Sequence, residues 1–276
     1  LEKAVEAREK IEIELLLEGI YRMYGYDFRN YAYDSIRRRI WHSIHTLNLQ
    51  TITGLLDKVM HQPKQMQALL SSLMIHVTEM YRDPALFKTF RCKVIPFLST
   101  YPFIRIWHAG CSTGEEALSM AILLQEEELY ERSRIYATDI QEDVLEKAQS
   151  ASFPVRNMQK YTHNYLQAGG KGFFSDYYTA TYDAAVFNAA LLRNMTFARH
   201  NLVTDQSFNE FNVIFCRNVL IYFNKSLQRQ VHRLFYESLS MFGVLVLGDR
   251  ETLQFSEYAD CYETLDKQQK IYRKIK

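Results

Sequence analysis

The sequence predicts an α/β protein: a small N-terminal all-helical domain, then a Rossmann-like α/β domain carrying a small antiparallel β-subdomain insertion. Three observations predict it. Apolar residues in the first third recur at helical spacing. After Tyr101, short buried strands alternate with helical stripes, the rhythm of a parallel, doubly wound sheet. An aromatic-rich stretch, residues 153–198, interrupts that rhythm. The 276 residues have room for this pair of domains, placed at 1–90 and 91–276.

Ile13, Leu16, Leu17, Ile20 and Tyr24 predict the first helix. A second stripe, Ile36, Ile40, Ile44 and Leu47, follows Asp34 and Ser35, either of which suits an N-cap. Leu55, Leu56 and Val59 mark a third helix. Met66, Leu69, Leu70, Leu73 and Met74 mark a fourth, divided from the third near Pro63. Asp83-Pro84 reads as a helix start, Asp as N-cap and Pro in the first helical position, with the helix stopping by Pro96. Ile104–Trp107 is then a strand, Gly110–Gly114 a turn, and Leu118, Ala121 and Ile122 a helix. Arg134–Ala137 is a strand running to Asp139, followed by a helix through Val144–Gln149. Phe211–Cys216 is a buried strand, Leu227, Val231, Leu234 and Phe235 a helix, and Val244–Leu247 a last strand. The insertion is marked by Phe173, Phe174, Tyr177, Tyr178, Tyr182 and Phe187, with Gly169, Gly170 and Gly172.

Composition removes several function classes. With 47% hydrophobic and 24% charged residues the chain has the balance of a soluble globular protein. A net charge of +1 gives the whole molecule no pull toward nucleic acid or anionic lipid, so charge-guided recognition must be local. No apolar run reaches the roughly 18 residues of a membrane span, and residues 1–10 lack the apolar core of a signal peptide. Cys92, Cys111, Cys216 and Cys261 form no CxxC pair, which fits reduced, mostly buried thiols in a cytoplasmic protein. The histidines show no HxxxH or HExxH spacing, so no metal site is expected.

The informative segment is Trp107-His108-Ala109-Gly110-Cys111-Ser112-Thr113-Gly114-Glu115-Glu116. It joins the first strand to a helix, where open parallel sheets bind ligands, and the next strand ends on an acid, Asp139, suited to ribose hydroxyls. A dinucleotide site wants GxGxxG with a pyrophosphate on the helix start. Here Gly-x-x-x-Gly is followed at once by Glu115 and Glu116, which repel a pyrophosphate but suit the ammonium of a methionine moiety. The competing reading is an ordinary strand–helix turn with a capping box. Ser112 has no Gly-x-Ser-x-Gly elbow and no hydrolase triad partners. Arg217 and Asn218, at the end of the Phe211–Cys216 strand, leave two readings open: ligand contacts, or a turn-forming Asn beside an Arg paired with a carboxylate.

These residues carry a resemblance. Ala109–Glu116, Ala137-Thr138-Asp139-Ile140, His200-Asn201-Leu202, Cys216–Phe223 and Val77-Thr78-Glu79-Met80-Tyr81-Arg82-Asp83-Pro84 resemble, in order along nearly the whole chain, signatures of the chemotaxis receptor methyltransferases, the CheR family. The resemblance implies S-adenosylmethionine as cofactor and S-adenosylhomocysteine as product. It implies a cofactor site of Thr78, Arg82, Gly110, Glu115, Glu116, Asp139, Asn201, Leu202, Arg217 and Asn218. Of the two glutamates it favours Glu116 at the methionine end. Arg82 is assigned to orienting a carboxylate by its fork of donors, and Tyr222 to packing or steering near the methyl. His76 stands where some members carry Asn, and Met80-Tyr81 replaces a Phe-Phe pair.

The implied reaction converts receptor glutamates to methyl esters. The expected partner is the cytoplasmic helical region of methyl-accepting chemotaxis receptors, with no nucleic acid, no membrane insertion and a monomeric enzyme. Arg37, Arg38 and Arg39, on the helix striped by Ile36, Ile40 and Ile44, are expected to form part of the receptor-docking surface, although an arginine run is by itself more often a solvated face. Two other readings fit the cofactor loop: a methyltransferase for another protein or a small molecule, and a module that senses the cofactor without turning over.

Overall fold

The structure, a computed structural model, describes every residue but Leu1, Ile75, His76 and Phe255, and leaves the side chains of Glu2, Lys3 and Ala4 undescribed. The chain divides into two compact units. One is Leu1–His76 with Ile221–Gln228, the other Val77–Leu220 with Arg229–Lys276. The division thus falls before residue 90, and a short later segment joins the helical unit. His76, singled out above, lies outside the described residues.

The helical unit is built on α1 (Glu2–Tyr24), α2 (Tyr33–Thr46), α3 (Ile52–His61) and α4 (Pro63–Leu73). The apolar stripes face one core, where Ile13, Leu16, Ile20, Ile36, Ile40, Ile44, Leu55, Val59, Leu69 and Leu73 are buried. Full burial of each such side chain stabilises by about 1.5–3 kcal/mol. Thr51 caps α3 by accepting the Gly54 N–H at 3.0 Å, and Pro63 opens α4. Neither Asp34 nor Ser35 caps α2: the helix starts at Tyr33 after Ala32, which makes no side-chain cap. The Ala32 N–H donates instead to the Tyr222 carbonyl at 2.8 Å. The rings of Phe28, Tyr31 and Phe223 meet edge-on, 5.0 and 4.9 Å apart.

The larger unit begins with α5 (Pro84–Lys93), which stops before Pro96 as expected, and the short α6 (Ile95–Leu98), a new turn of helix that contains Pro96. There follow β1 (Ile104–Ala109), α7 (Glu115–Glu126), β2 (Ser133–Asp139), α8 (Glu142–Ser150), β3 (Ser152–Pro154), α9 (Met158–Gln167), β4 (Tyr178–Ala180), β5 (Ala184–Phe187), β6 (Met195–Arg199) and β7 (Phe211–Cys216). Then come α10 (Lys225–Ser238), whose residues from Arg229 belong to this unit, β8 (Leu239–Leu247), β9 (Tyr262–Asp266) and β10 (Ile271–Lys274).

The main sheet has seven strands in the order β6-β2-β1-β7-β8-β10-β9. The first five pair in parallel, as expected from the strand–helix alternation. β9 and β10 add an antiparallel end. Their alternating charged positions, such as Glu263 and Arg273, give no buried run to read. The insertion is the antiparallel sheet β3-β5-β4, with α9 between its strands. β6, placed in the insertion by sequence, is instead the edge strand of the main sheet. Only Met195 of its residues is buried, so it lacks the apolar signature of its neighbours. Around the sheet, α7 is buried on nearly all sides from Ala117 to Leu124. Cys111 and Cys216 are buried, whereas Cys92 is exposed. No described helix is long and apolar enough to cross a membrane.

Candidate functional site

The parallel strands in the order β6-β2-β1-β7 bring four of their C-terminal ends side by side. Chain order runs outward from β1 in both directions, through β2 and β6 on one side and β7 on the other. This reversal is where a doubly wound sheet opens a crevice. The segments quoted above leave these ends: Gly110 after β1, Asp139 at the end of β2, His200–Leu202 after β6 and Arg217–Asn218 after β7.

The loop after β1 is fixed by backbone. The N–H groups of Gly110 and Cys111 both donate to the Thr138 carbonyl, at 2.8 and 2.9 Å. Gly110, Ser112 and Gly114 have φ of 79°, 51° and 90°, the left-handed region. Space adds to the demand for glycine. A Cβ on Gly110 would lie 2.6 Å from Val219 Cγ2, and one on Gly114 would lie 2.8 Å from Ala148 Cβ. The Ser112 N–H donates to Asp139 Oδ2 at 2.9 Å, and the Gln141 N–H to Oδ1 at 3.2 Å. Asp139 is thus held at the loop by backbone donors, only 9% exposed.

The two glutamates that start α7 meet different surroundings. Glu115 accepts from Thr113 Oγ1 at 2.7 Å and from the Tyr161 hydroxyl at 3.4 Å. Burial dominates there and raises its pKa, against those hydrogen bonds. Glu116 is also desolvated, which pushes its pKa up. Hydrogen bonds and charge from His108 and Arg217 outweigh that and bring it down to about 2. The contacts are His108 Nδ1 to Oε1 at 2.9 Å and Arg217 Nη1 to Oε2 at 2.8 Å. Arg217 also pairs through Nη2 with Asp83, and its side chain is 3% exposed. The pairing with carboxylates that one reading of Arg217 expected is present, at the end of β7.

Asp83 is the residue before α5, as expected, but it has φ of 59° and makes no side-chain cap. Its carboxylate serves Arg217. Arg82 donates from Nη1 to the Val77 carbonyl at 2.7 Å, and its own carbonyl accepts from Arg217 Nη1 at 3.3 Å. Thr78 is half-buried nearby in sequence. Asn201 forms a local turn: its Oδ1 accepts the Val203 N–H, and its N–H donates to Asp205, both at 2.9 Å. Asn201 and Leu202 are each 8% exposed, and the preceding His200 N–H donates to the Asp139 carbonyl at 3.0 Å. Asn218 has φ of 61°, a conformation asparagine tolerates.

The structure joins Glu116, Arg217 and the backbone carbonyl of Arg82 in one hydrogen-bonded set, which His108 and Asp83 complete. The Arg82 guanidinium is bonded to Val77, and Asp139 is held separately by the backbone of Ser112 and Gln141. Sequence reasoning gave His108 no role beyond excluding it as a metal ligand, and read Asp83 as a cap. The signal for His108 was its place within the loop motif, eight positions before Glu116. Tyr222 belongs to the helical unit, where the Arg39 guanidinium lies 4.7 Å from the centre of its ring.

The arginine run is corrected in part. Arg39 is buried, donating to the Leu73 carbonyl. It lies three residues after Ile36 and four before the buried Ser43, on the inward face. Arg37 is half-exposed and bonded to Glu9 through Nε and Nη2 at 2.7 and 3.1 Å. Its hydrogen bond holds the Glu9 carboxyl below its usual range. Arg38 is exposed.

An ionised glutamate at the start of α7 and an acid at the end of β2 form an acceptor set that fits an amino-acid ammonium and ribose hydroxyls, which donate. It does not fit a pyrophosphate, which wants the helix start free of negative charge. Comparison with known proteins agrees. The family described as "CheR methyltransferase, SAM binding domain" matches residues 76–271, and "CheR methyltransferase, all-alpha domain" matches residues 11–74. A Pseudomonas putida protein named "Putative methyltransferase Cher3" is 49% identical over 269 residues, spanning 98% of both chains. The chemotaxis protein methyltransferase of Escherichia coli is 29% identical, covering 86% of this chain and 83% of its own. That of Listeria monocytogenes is 26% identical, covering 85% and 87%. With both halves of the chain matched in order, this protein belongs to the CheR methyltransferase family and is an S-adenosylmethionine-dependent methyltransferase.

Proposed function

We propose that the chain is a protein-glutamate O-methyltransferase that esterifies glutamate side chains on the cytoplasmic helical region of chemotaxis receptors. The observation that carries the reading is Asp139 and Arg217 at strand ends with Glu116 at the start of α7, in a chain that also has the family's all-alpha domain. Glu116 would receive the ammonium of the methionine moiety, because it is held ionised. Asp139 would receive the ribose hydroxyls, and Asn201, Leu202 and Asn218 would line the adenine and substrate side. Arg82 and Thr78 would close over the reacting groups, with Arg82 orienting a carboxylate.

When bound, the cofactor supplies a methyl group on a sulfonium, already activated for transfer. The substrate glutamate has an ordinary pKa of about 4.3, so it is ionised and nucleophilic at neutral pH. One C–O bond forms as one C–S bond breaks, and no proton moves. The protein's work is alignment, for which positioning supplies up to ~7–11 kcal/mol in model reactions. That accounts for a site furnished with fixed charges rather than a general base.

The test is a radiolabelled methyl assay on a panel of cytoplasmic receptor fragments, scored for base-labile methyl esters. Label in receptor fragments released by mild base is the expected result. Label only in small molecules, or none anywhere despite cofactor binding, would favour the two other readings.

A further inference from the structure

Glu251 is a buried carboxylate in the loop after β8 to which the proposed chemistry gives no part. It is 4% exposed. Its Oε1 accepts the N–H groups of Val219 and Leu220, at 2.9 and 2.8 Å, and its Oε2 accepts the Gly248 N–H at 2.6 Å. Val219 and Leu220 directly follow Arg217 and Asn218. Asn218 holds a left-handed φ of 61°, which asparagine tolerates and which turns the chain sharply after β7. Gly248 lets the two loops meet: a Cβ there would lie 2.8 Å from Glu251 Oε2 and 3.0 Å from the Asn218 nitrogen. Val219 in turn packs against Gly110, where an added Cβ would strike its Cγ2. One carboxylate therefore braces the turn after β7, and that turn abuts the loop after β1.

We propose that Glu251 is a positioning residue for the cofactor site: by accepting these backbone N–H groups it fixes the turn that presents Arg217 and Asn218. The proposal rests on reading those two residues as cofactor contacts. The side chain must be a carboxylate. It meets only donors, and three of them need acceptors on both oxygens. A glutamine in its place turns an NH2 toward at least one N–H, leaving a buried donor unpaired.

Glu251→Gln tests it, with S-adenosylhomocysteine binding measured by calorimetry beside thermal melts. The expected result is affinity weakened about tenfold or more in folded protein, with KM for S-adenosylmethionine raised more than kcat falls. A merely structural Glu251 would lower the melting temperature and leave the dissociation constant of the folded protein unchanged, which overturns the proposal. Should the variant not fold, amide exchange of the wild-type protein decides. The 216–220 and 248–251 backbones are expected to slow together when S-adenosylhomocysteine is added, and protection of the first without the second overturns the inference. Wild-type protein that binds no S-adenosylhomocysteine would overturn the cofactor reading and this inference with it.

Discussion

Adjacent residues 115 and 116 carry the same side chain and opposite electrostatics. Burial raises the Glu115 pKa, so folding disfavours its ionised form relative to the unfolded chain. Ionising it therefore works against folding as pH rises above the unfolded value. Glu116 is held at about 2 against the pull of its burial. Its contribution to stability is present above the unfolded value of about 4.3 and is lost as pH falls from there toward 2. Glu116→Gln should lower the melting temperature at pH 7 and flatten its acid dependence below pH 4.5, since Arg217 and His108 lose their partner. Glu115→Gln should leave the melting temperature unchanged or raise it. Melts of both variants at pH 7 and pH 3 check this; a reversed ranking would overturn the assignment of the stabilising carboxylate to Glu116. At the end of β2, Asp139→Asn should weaken S-adenosylhomocysteine binding. A charge-assisted hydrogen bond is worth ~1.5–3 kcal/mol, or about ten- to over a hundredfold in affinity. Unchanged affinity by calorimetry would remove Asp139 from the site.

Among the elements, the loop between β1 and α7 depends most on its glycines. Gly110→Ala and Gly114→Ala each place a Cβ in the left-handed region, a strain of about 1–2 kcal/mol, and each also meets a close neighbour. Both should lower the melting temperature. Adding Val219→Ala to Gly110→Ala should recover part of the loss but not all, because it relieves the contact and not the backbone strain; full recovery would show that φ is unimportant. This loop was legible in the sequence because glycine spacing, a preceding apolar strand and a following acid all act locally. So were the helices α1–α5 and the parallel strands β1, β2, β7 and β8, whose apolar patterns are strong. What escaped was set by tertiary contact. β6 lies at the sheet edge with little burial, and β9 and β10 alternate charge, so neither shows an apolar run. His108 and Asp83 gain meaning only when folding brings them to Glu116 and Arg217. Glu251 was invisible for the same reason, since two of its partners, the N–H groups of Val219 and Leu220, lie about thirty residues away in sequence. Arg39 is the instructive miss. Its place three residues from Ile36 already put it on the inward face, but an arginine run suggests a solvated surface and hid that phase.

For the whole molecule, a net charge of +1 means that any steering toward an acidic receptor must come from a patch. The structure narrows the arginine run to unequal roles. Arg39 is buried and Arg37 is engaged with Glu9, so Arg38 is the residue of the three whose charge is fully presented to solvent. Arg39→Ala should destabilise the helical unit, because it removes packing on the Tyr222 ring and leaves the Leu73 carbonyl without its donor. Arg37→Glu would set two carboxylates against each other at Glu9 and confound docking with folding. Arg38→Glu is therefore the clean probe. If α2 meets glutamate-bearing receptor helices, reversing this charge should slow association and raise the apparent KM for receptor several-fold, leaving kcat nearly unchanged. The native enzyme's activity should fall as salt rises past about 0.1 M, where the Debye length shortens to ~10 Å, and the variant's should fall less. Affinity for S-adenosylhomocysteine is the control, since the Gly110 loop is built from residues of the other unit. Unchanged receptor kinetics for Arg38→Glu at low salt would place the docking face elsewhere, and the three-stranded β3-β5-β4 subdomain would be the next surface to test.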